Sequence, residues 1–387
     1  MKKIKNIIIS LIPYLALSVF IAGFIFISSK YPIEANSNSM VKLDREIFSK
    51  TNKDATGNFS VSSINAIPLT YKSVSYPFII KNNLIFSYFN KADHSSATGV
   101  VSLNMMDKSI ENLISLSTSH ITEVYPSPDN KKFLYGYYSD LSLDSKYSFR
   151  NFSIYNLETK DISNSFSMFA DSVSWLSDSK QLIGTNFSSI FITDLSIAQK
   201  KIHTIYNLGL SNHKAQVKYV IPKNILVSNN TAYFFDSTNP VLSIDLDDFT
   251  LKNVHHPANI IYDAKMLNNG SILFSGLKDK LNNLYIYNPS QESSASLINN
   301  PLNLVISCFS VSPDNKKICY VLSEAYGNKE IHTAYLSDNK LSMDTVVYKT
   351  TDTVSHVLWT NDSLKLVAIT ESDNASTVYK FNFKNIK

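Results

Sequence analysis

The hexapeptide Ser-Pro-Asp-Asn-Lys-Lys occurs twice in the chain, at Ser127–Lys132 and at Ser312–Lys317. Aromatic and β-branched residues flank both copies. Serine suits the first position of a tight turn, proline fixes φ at the second, and asparagine tolerates the positive φ that ends a bulged hairpin. Each copy is therefore predicted to join two antiparallel strands, and the repetition indicates that one structural unit recurs along the chain.

Looser copies of this strand–turn–strand pattern occur along the rest of the chain. Their turns are marked by Asn82, Asp129, Asp178, Asn229, Asn269, Asp314 and Asp362. Subtracting each number from the next gives spacings of 47, 49, 51, 40, 45 and 48 residues. Further strand-like segments follow the clear hairpins, so each unit holds four strands, as a propeller blade does. The sequence predicts an all-β fold, a seven-bladed β-propeller, with six or eight blades as alternatives.

The last unit has only three strand-like segments before Lys387. A further strand-like segment, Asn58–Leu69, precedes the first full unit. We predict that this segment supplies the fourth strand of the last blade. It would close the ring and remove two open sheet edges.

The turn motif also carries a family resemblance. Trp175 and Trp359 each stand three residues before a turn aspartate, and Ser-Pro-Asp is kept in both hexapeptides. These residues resemble the TolB-like propeller repeats, a WD-like family whose hallmark is Trp-Ser-Pro-Asp-Gly-Lys between the first two strands of a blade. The resemblance covers about residues 71–387. The motif is structural, so the aspartates are assigned to the turns and the tryptophans to packing between blades.

No copy of the motif keeps all six hallmark residues. The glycine is replaced in each of the four clear copies, by Asn130, Ser179, Asn315 and Ser363. Serine tolerates positive φ less well than asparagine does, so the two serine turns are predicted to differ in detail.

The resemblance implies an exported interaction platform and names no reaction. The same propeller also forms the gating domain of prolyl-oligopeptidase-like serine peptidases. The Gly-x-Ser-x-Gly motif of such hydrolases does not occur in this sequence.

The N-terminal residues predict a membrane segment. Three lysines precede Ile7–Ile27, which is uncharged and almost wholly apolar. About 20 apolar residues cross a bilayer as a helix, whereas the apolar region of a cleaved signal peptide is about 7–15 residues long. The basic start predicts a cytoplasmic N-terminus, with everything after Lys30 on the other side of the membrane.

The chain is therefore divided into three parts. Residues 1–30 are predicted to form a transmembrane signal anchor, residues 31–57 a polar linker, and residues 58–387 the propeller. Cleavage after Ala35 is the alternative, and it would release the propeller.

The net charge of +4 comes almost entirely from lysine, because Arg45 and Arg150 are the only arginines. Specific nucleic-acid recognition relies on arginine forks and clustered basic faces, and no such cluster occurs. A nucleic-acid partner is therefore not expected. The lysines are interpreted as keeping the surface soluble and protecting exposed strand edges.

The two cysteines, Cys308 and Cys319, flank the second hexapeptide. If Ser312 pairs with Lys316, Cys308 opposes Tyr320 and the two sulfurs lie on opposite faces of the sheet. We predict two buried free thiols, because a disulfide would need a different register.

Two clusters of residues are candidates for metal sites. His255 and His256 precede a proline and are interpreted as part of an exposed loop between blades rather than as metal ligands. Asp245, Asp247 and Asp248 carry the oxygens that calcium prefers. Their loop lacks the glycine and trailing glutamate of a recognised calcium site, so a solvated acidic turn is favoured.

The sequence assigns no catalytic, cofactor-binding or metal residue. His356 and Asp171 are the candidates for the inner rim of the ring, and each is more simply interpreted as a polar loop residue. The sequence favours a monomeric, membrane-anchored, extracytoplasmic scaffold that binds an envelope or membrane protein or a cell-wall component. The alternative is an enzyme or sensor at the mouth of the central channel, where carboxylates or histidines would have to converge.

Overall fold

The computed structural model describes residues 59–71, 73–89, 98–116, 120–138, 150–186, 189–196, 202–207, 224–228, 230–235, 241–324, 327–372 and 375–384. The predicted membrane segment, the linker and the marker Asn229 lie outside these residues. Within them, no helix is long and apolar enough to cross a membrane. Their regular structure consists of 28 β-strands in seven four-stranded sheets, which confirms the all-β fold and the seven blades.

The first strand is β1 (Ser60–Pro68). Blade 1 contains β2 (Ser73–Ile80), β3 (Asn83–Phe89), β4 (Thr98–Asn104) and β5 (Ile110–Leu116). Blade 2 contains β6 (His120–Pro126), β7 (Lys132–Tyr138), β8 (Arg150–Asn156) and β9 (Phe166–Met168). Blade 3 contains β10 (Ser172–Trp175), β11 (Gln181–Thr185), β12 (Ser189–Asp194) and β13 (Ile202–Asn207). Blade 4 contains β14 (Asn224–Ser228), β15 (Thr231–Phe235), β16 (Val241–Asp245) and β17 (Leu251–His255).

Blade 5 contains β18 (Ile260–Met266), β19 (Ile272–Lys278), β20 (Leu281–Asn288) and β21 (Ser293–Ser296). Blade 6 contains β22 (Val305–Val311), β23 (Lys317–Ser323), β24 (Lys329–Ser337) and β25 (Lys340–Thr350). Blade 7 contains β26 (Thr353–Trp359), β27 (Lys365–Glu371) and β28 (Ser376–Lys384), with β1 as its fourth strand.

The first strands of neighbouring blades contact one another, so they line the centre of the ring. The second strands are buried along most of their length because both faces of each blade pack against a neighbouring blade. Seven hydrophobic clusters among the described residues fill the seven contacts between blades. Each such contact is called a seam below.

The ring closes through β1, as the sequence predicts. This strand pairs antiparallel with β28, from Ser60 opposite Lys384 to Pro68 opposite Thr377. Phe59 is 1% exposed and its ring lies 6.2 Å from that of Trp359. Blade 7 is therefore built from both ends of the described chain.

The hairpin turns differ from the prediction by one residue. The Ser312 amide donates to the carbonyl of Lys317, not of Lys316. The Lys317 amide in turn donates to the Ser312 hydroxyl at 2.9 Å. The serine side chain thus bridges the hairpin and accommodates one more residue than a bulged type I turn needs.

This shift corrects the placement of the cysteines. Cys308 pairs with Val321, and Cys319 lies opposite Ser310, so both sulfurs are on the face that meets blade 7. A one-residue slip exchanges the two faces of a strand, which is why the predicted opposite placement is wrong. Both thiols are free, as predicted, with Cys319 buried and Cys308 half-buried.

The four motif turns share the same left-handed φ at the replaced glycine position, so the serine and asparagine turns differ in their hydrogen bonds and not in this backbone angle. The replaced glycine position has φ of 56° at Asn130, 55° at Ser179, 57° at Asn315 and 59° at Ser363. The serines have a second role here. The Ser179 hydroxyl accepts from the Asp129 amide, and the Ser363 hydroxyl accepts from the Asp314 amide. Each bond ties a turn to the preceding blade and offsets the cost of positive φ.

Candidate binding site at the channel rim

The blades have two different ends. The turn end carries the hairpins between first and second strands, such as Ser127–Lys132. The rim end is the opposite end, where the first strands begin. At the rim end the first strands of blades 1, 2, 5, 6 and 7 each contain a register shift. Such bulges turn a strand locally and redirect side chains. The residues that follow the bulge in four of these blades are Glu123, Asp263, Cys308 and His356.

Glu123 forms the most buried ion pair among the described residues of blade 2. Arg150 Nη1 lies 2.7 Å from Glu123 Oε1 and 2.8 Å from Oε2, and the Tyr125 hydroxyl donates to Oε2 at 3.0 Å. The side chains of Glu123 and Arg150 are 7% and 19% exposed. A Cβ at Gly136 would lie 2.8 Å from Glu123, so this glycine makes room for the carboxylate.

Burial alone would lower the pKa of Arg150, but the charge and hydrogen bonds of Glu123 raise it. The pKa of Tyr125 is raised well above its usual value, first by burial and then by the Glu123 charge. Glu123 is therefore neutralised by a partner that stays charged. The buried ion pair holds this part of the rim in place.

Asp171 lies directly before β10, on the blade 3 side of this ion pair. Burial raises the pKa of its carboxyl, and the Arg150 charge only partly opposes that effect. Asp171 Oδ2 is buried and has no hydrogen-bond partner among the described residues. The sequence-predicted rim residue thus stands beside an ion pair that the sequence analysis did not identify.

Two further buried polar atoms at the start of β6 have no partner within the described part of the chain. They are Nδ1 of His120 and Oγ1 of Thr122, the residue that the β6 bulge displaces from the ladder. Buried polar atoms are nearly always hydrogen-bonded in folded proteins. Three of the six such atoms among the described residues lie in blades 2 and 3 at the rim end, which makes this part of the rim the candidate binding site.

His356, the other predicted rim residue, lies at a different seam. Its Nε2 lies 3.2 Å from the carbonyl oxygen of Val74 in blade 1. Burial lowers the pKa of His356, whereas the Val74 carbonyl and the Glu371 charge oppose this. The Glu371 carboxylate also accepts from the Val74 amide at 3.2 Å. His356 and Glu371 thus fasten blade 7 to the first strand of blade 1, and the structure does not bring His356 together with Asp171 in one pair.

His255 is buried, at 3% exposure, contrary to its predicted place in an exposed loop. Its Nε2 lies 3.1 Å from the Ser243 hydroxyl and its Nδ1 lies 2.6 Å from the Tyr287 hydroxyl. Burial lowers the pKa of His255 and raises that of Tyr287 to about 12. Both ring nitrogens serve the packing of blade 4 against blade 5. His256 is exposed, as predicted.

The other predicted candidates lie in turns and seams. Asp245 and Asp248 accept hydrogen bonds from amides of their own turn, and Asp247 accepts from Asn230. Trp175 donates to the Tyr125 carbonyl of blade 2 at 3.0 Å, and Trp359 packs in the cluster between blades 6 and 7. The motif tryptophans therefore pack between blades, as predicted. Within the described residues, no group of three or more His, Cys, Asp or Glu side chains could hold a metal ion.

The sequence held one signal for the missed ion pair. Arg150 is the only arginine of the propeller region in a chain that otherwise uses lysine. Arginine is preferred where a carboxylate must be bound in a fixed, partly dry geometry. Its partner Glu123 could not be named, because the two residues meet only after β6 and β8 have joined the same sheet.

Comparisons with known proteins agree with the propeller fold. No family model matches the chain, and no curated protein does so. Among solved structures, the chain is similar to the Cps50 β-propeller domain from Myceliophteria thermophila, with 11% identity, a TM-score of 0.58, and coverage of 84% of this chain and 99% of that one. It is also similar to a chain in the mitotic checkpoint complex, with 14% identity, a TM-score of 0.54, and coverage of 85% and 94%.

A third similar structure is the β-propeller domain of the Trilobed protease from Pyrococcus furiosus. The identity is 14%, the TM-score 0.55, and the coverage 81% of this chain and 97% of that domain. That domain is described as having an open velcro topology, whereas β1 closes the ring here. At these identities the similarity shows the fold alone. The chain is a seven-bladed β-propeller.

Proposed function

We propose that this protein is a membrane-anchored binding platform on the extracytoplasmic side, whose partner contacts the rim end at blades 2 and 3. The observation that carries the proposal is the group of unpartnered buried atoms on His120, Thr122 and Asp171. Asp171 Oδ2 is an acceptor and the Thr122 hydroxyl can donate or accept, and contact with a partner requires that the rim opens locally to expose these atoms. The adjacent carboxylate of Glu123 is already neutralised by Arg150, which favours recognition over acid–base chemistry.

Membrane attachment and orientation belong to the same proposal and are supported by the sequence. The apolar segment Ile7–Ile27 follows Lys2, Lys3 and Lys5, which favours a cytoplasmic N-terminus. The partner is proposed to be an envelope or membrane protein or a cell-wall component. The TolB-like resemblance of the turn motif supports an exported interaction role.

The rim can be tested by cross-linking in native membranes, followed by recovery of the tagged full-length protein and identification of its partners by mass spectrometry. We expect a reproducible partner that is absent with residues 1–57 alone. The variants Thr122→Val and Asp171→Asn should lose it, since each removes one unpartnered rim atom. The matched control is Asp338→Asn, the same chemical change at an exposed outer turn. Equal recovery from all three variants would contradict the rim assignment.

Orientation is tested separately with protease added to intact and to lysed cells. We expect the propeller to be reached in intact cells and to remain with the membrane after an alkaline wash. A propeller protected until lysis would contradict the proposed side. If the measured mass of the mature protein matched a chain that begins after Ala35, the anchor would be cleaved and the propeller released.

A further inference from the structure

Cavities at three neighbouring seams of the turn end can be compared directly. The cavity between blades 1 and 2 measures about 560 Å³, and that between blades 2 and 3 about 430 Å³. The cavity between blades 7 and 1, where the ring closes, measures about 210 Å³ and is called the closure cavity. Repetition of the blade makes these cavities related in position, so differences in their charge are informative.

The first cavity, between blades 1 and 2, has no excess of positive charge. Lys131 and Lys160 form ion pairs there, Lys131 with Glu158 and Lys160 with Glu111, and the third lysine of this cavity, Lys81, also lines the closure cavity. The cavity between blades 2 and 3 is lined by Lys132, Lys180 and Asp161, and Lys132 lies 5.3 Å from the Trp175 ring in a cation–π contact.

The closure cavity is different. Lys81, Lys365 and Lys380 line it together with a single carboxylate, Asp362. Asp362 Oδ1 already accepts from the Thr360 hydroxyl and from the Leu364 amide within its own turn. Three ammonium groups, of which Lys81 is shared with the first cavity, therefore face one carboxylate whose Oδ1 is already hydrogen-bonded.

The lysine at the start of the second strand shows the contrast most clearly. Lys132, Lys317 and Lys365 each stand five residues after the first residue of their motif turn. Lys317 Nζ forms an ion pair with Asp314 at 2.8 Å, and Lys132 lies over Trp175. Among the described residues, no carboxylate lies within the ion-pair distance of 4.0 Å from Lys365 Nζ.

Lys365 and Lys380 also lie on the same face of blade 7. Lys365 pairs with Asn382 and Val367 pairs with Lys380, so the two lysines are diagonal neighbours on the face that meets blade 1. Lys380 Nζ donates to the neutral carbonyl of Met105 at 2.7 Å. Like charges so placed repel each other unless an anion lies between them.

We propose that the closure cavity binds a phosphate-class oxyanion between blades 7 and 1. Ammonium groups act as point charges that suit a compact, multiply charged phosphate, and the lysines come from both sides of the seam. The cavity is several times the ~30 Å³ share of one water molecule, so the anion and ordered water both fit. Because Lys81 belongs to blade 1 and Lys365 to blade 7, the bound anion bridges the closure of the ring.

The test is thermal unfolding of the purified full-length protein, followed by tryptophan fluorescence, in phosphate and in chloride of equal ionic strength. A ligand bound only by the folded state raises Tm in proportion to its occupancy. We expect inorganic phosphate at saturation to raise Tm by about 2 °C or more over chloride. Titration calorimetry gives the dissociation constant directly.

The decisive variant is Lys81→Gln combined with Lys365→Gln, since no described contact of either ammonium group is lost. We expect binding at least about tenfold weaker, with Tm in chloride unchanged or raised because repulsion is relieved. The control variant, Lys131→Gln with Lys160→Gln in the neighbouring cavity, should bind as the parent does. No phosphate-specific shift in the parent, or an equal shift in both double variants, would overturn the proposal.

Two probes separate the sources of the phosphate. Inorganic phosphate represents a free anion or a monoester, and glycerophosphoglycerol represents the diester of a lipid headgroup or polymer. Tighter binding of inorganic phosphate points to a soluble ligand, and tighter binding of the diester points to a headgroup or polymer. Failure of both probes overturns the site, while the rim variants test the binding-platform proposal independently.

Discussion

The turn end and the rim end of the propeller are built from the same blades but satisfy their polar groups differently. At the turn end, Asp129 accepts from the Ser127 hydroxyl and the Lys131 amide, and Asp314 repeats this pattern with Ser312 and Lys316. At the rim end, strand bulges replace the repeat, and Asp171 Oδ2 has no partner among the described residues. The turn end therefore repeats one local hydrogen-bond pattern, whereas the rim end differs from blade to blade.

The largest loss of stability is expected from removing β1, the strand that closes the ring. Deleting residues 58–69 removes β1 and with it the buried side chains of Phe59, Ile67 and Leu69. At about 1.5–3 kcal/mol for each, the free energy of unfolding should fall by about 5 kcal/mol or more. Thermal unfolding measures the loss, and the exposed Ser62→Ala change on the same strand is the control. An unchanged Tm would contradict closure by β1.

The next largest loss of stability tests whether the ion pair at the rim end also stabilises the fold. Arg150→Met leaves the Glu123 carboxylate buried without its partner and should cost about 3 kcal/mol. The double variant Glu123→Gln, Arg150→Met should recover part of the loss, because no unpaired charge remains. Urea unfolding of the parent, both single variants and the double variant gives the coupling energy. Lys160→Met, which breaks an exposed ion pair, should cost less than about 1 kcal/mol.

A smaller effect is expected at the turn end, where Ser363 ties blade 7 to blade 6. Ser363→Ala loses the bond to the Asp314 amide and keeps the strained φ, at a cost of about 1 kcal/mol. Ser363→Gly loses the same bond but relieves the strain, so it should cost less. Chemical denaturation separates the two variants. If glycine were the more damaging change, the proposed balance between bond and strain would be wrong.

The smallest effect of this series, a stabilisation, is expected from Asp171→Asn. The folded-state pKa of Asp171 is raised, so the ionised carboxylate destabilises the fold at neutral pH, and this penalty disappears as the pH falls through the raised pKa. The variant should therefore be slightly more stable than the parent at pH 7. The difference should shrink in acid. Unfolding experiments at several pH values measure this stability difference. A difference that grows in acid would contradict the predicted effect of the raised pKa.

The repeat made the fold predictable because each motif turn is a local structure. Serine, proline, aspartate and asparagine act within six residues, and the spacing of the turns gives the number of blades. The register was missed by one residue because the Ser312 hydroxyl bridges to Lys317, and turn propensities do not contain that bond. The same error misplaced the faces of Cys308 and Cys319.

The candidate site was harder to predict because it depends on residues that the fold brings together. Asp171 was identified as a rim residue, but Glu123 and Arg150 were not, since they lie 27 residues apart and meet across a sheet. The closure cavity draws Lys81 and Lys365 from opposite ends of the propeller sequence. Each lysine alone is indistinguishable from the other surface lysines of the chain.

The pairing of β1 with β28 also has a consequence for the order of folding. Ser60 and Lys384 are partners although their numbers differ by 324, whereas the strands within blades 1 to 6 pair with near neighbours in sequence. During synthesis β1 is made first, and it cannot pair until β28 has been made. We expect six blades to assemble as the chain grows, with an open gap and one unpaired strand that is exposed to aggregation or to a chaperone until the final hairpin is complete.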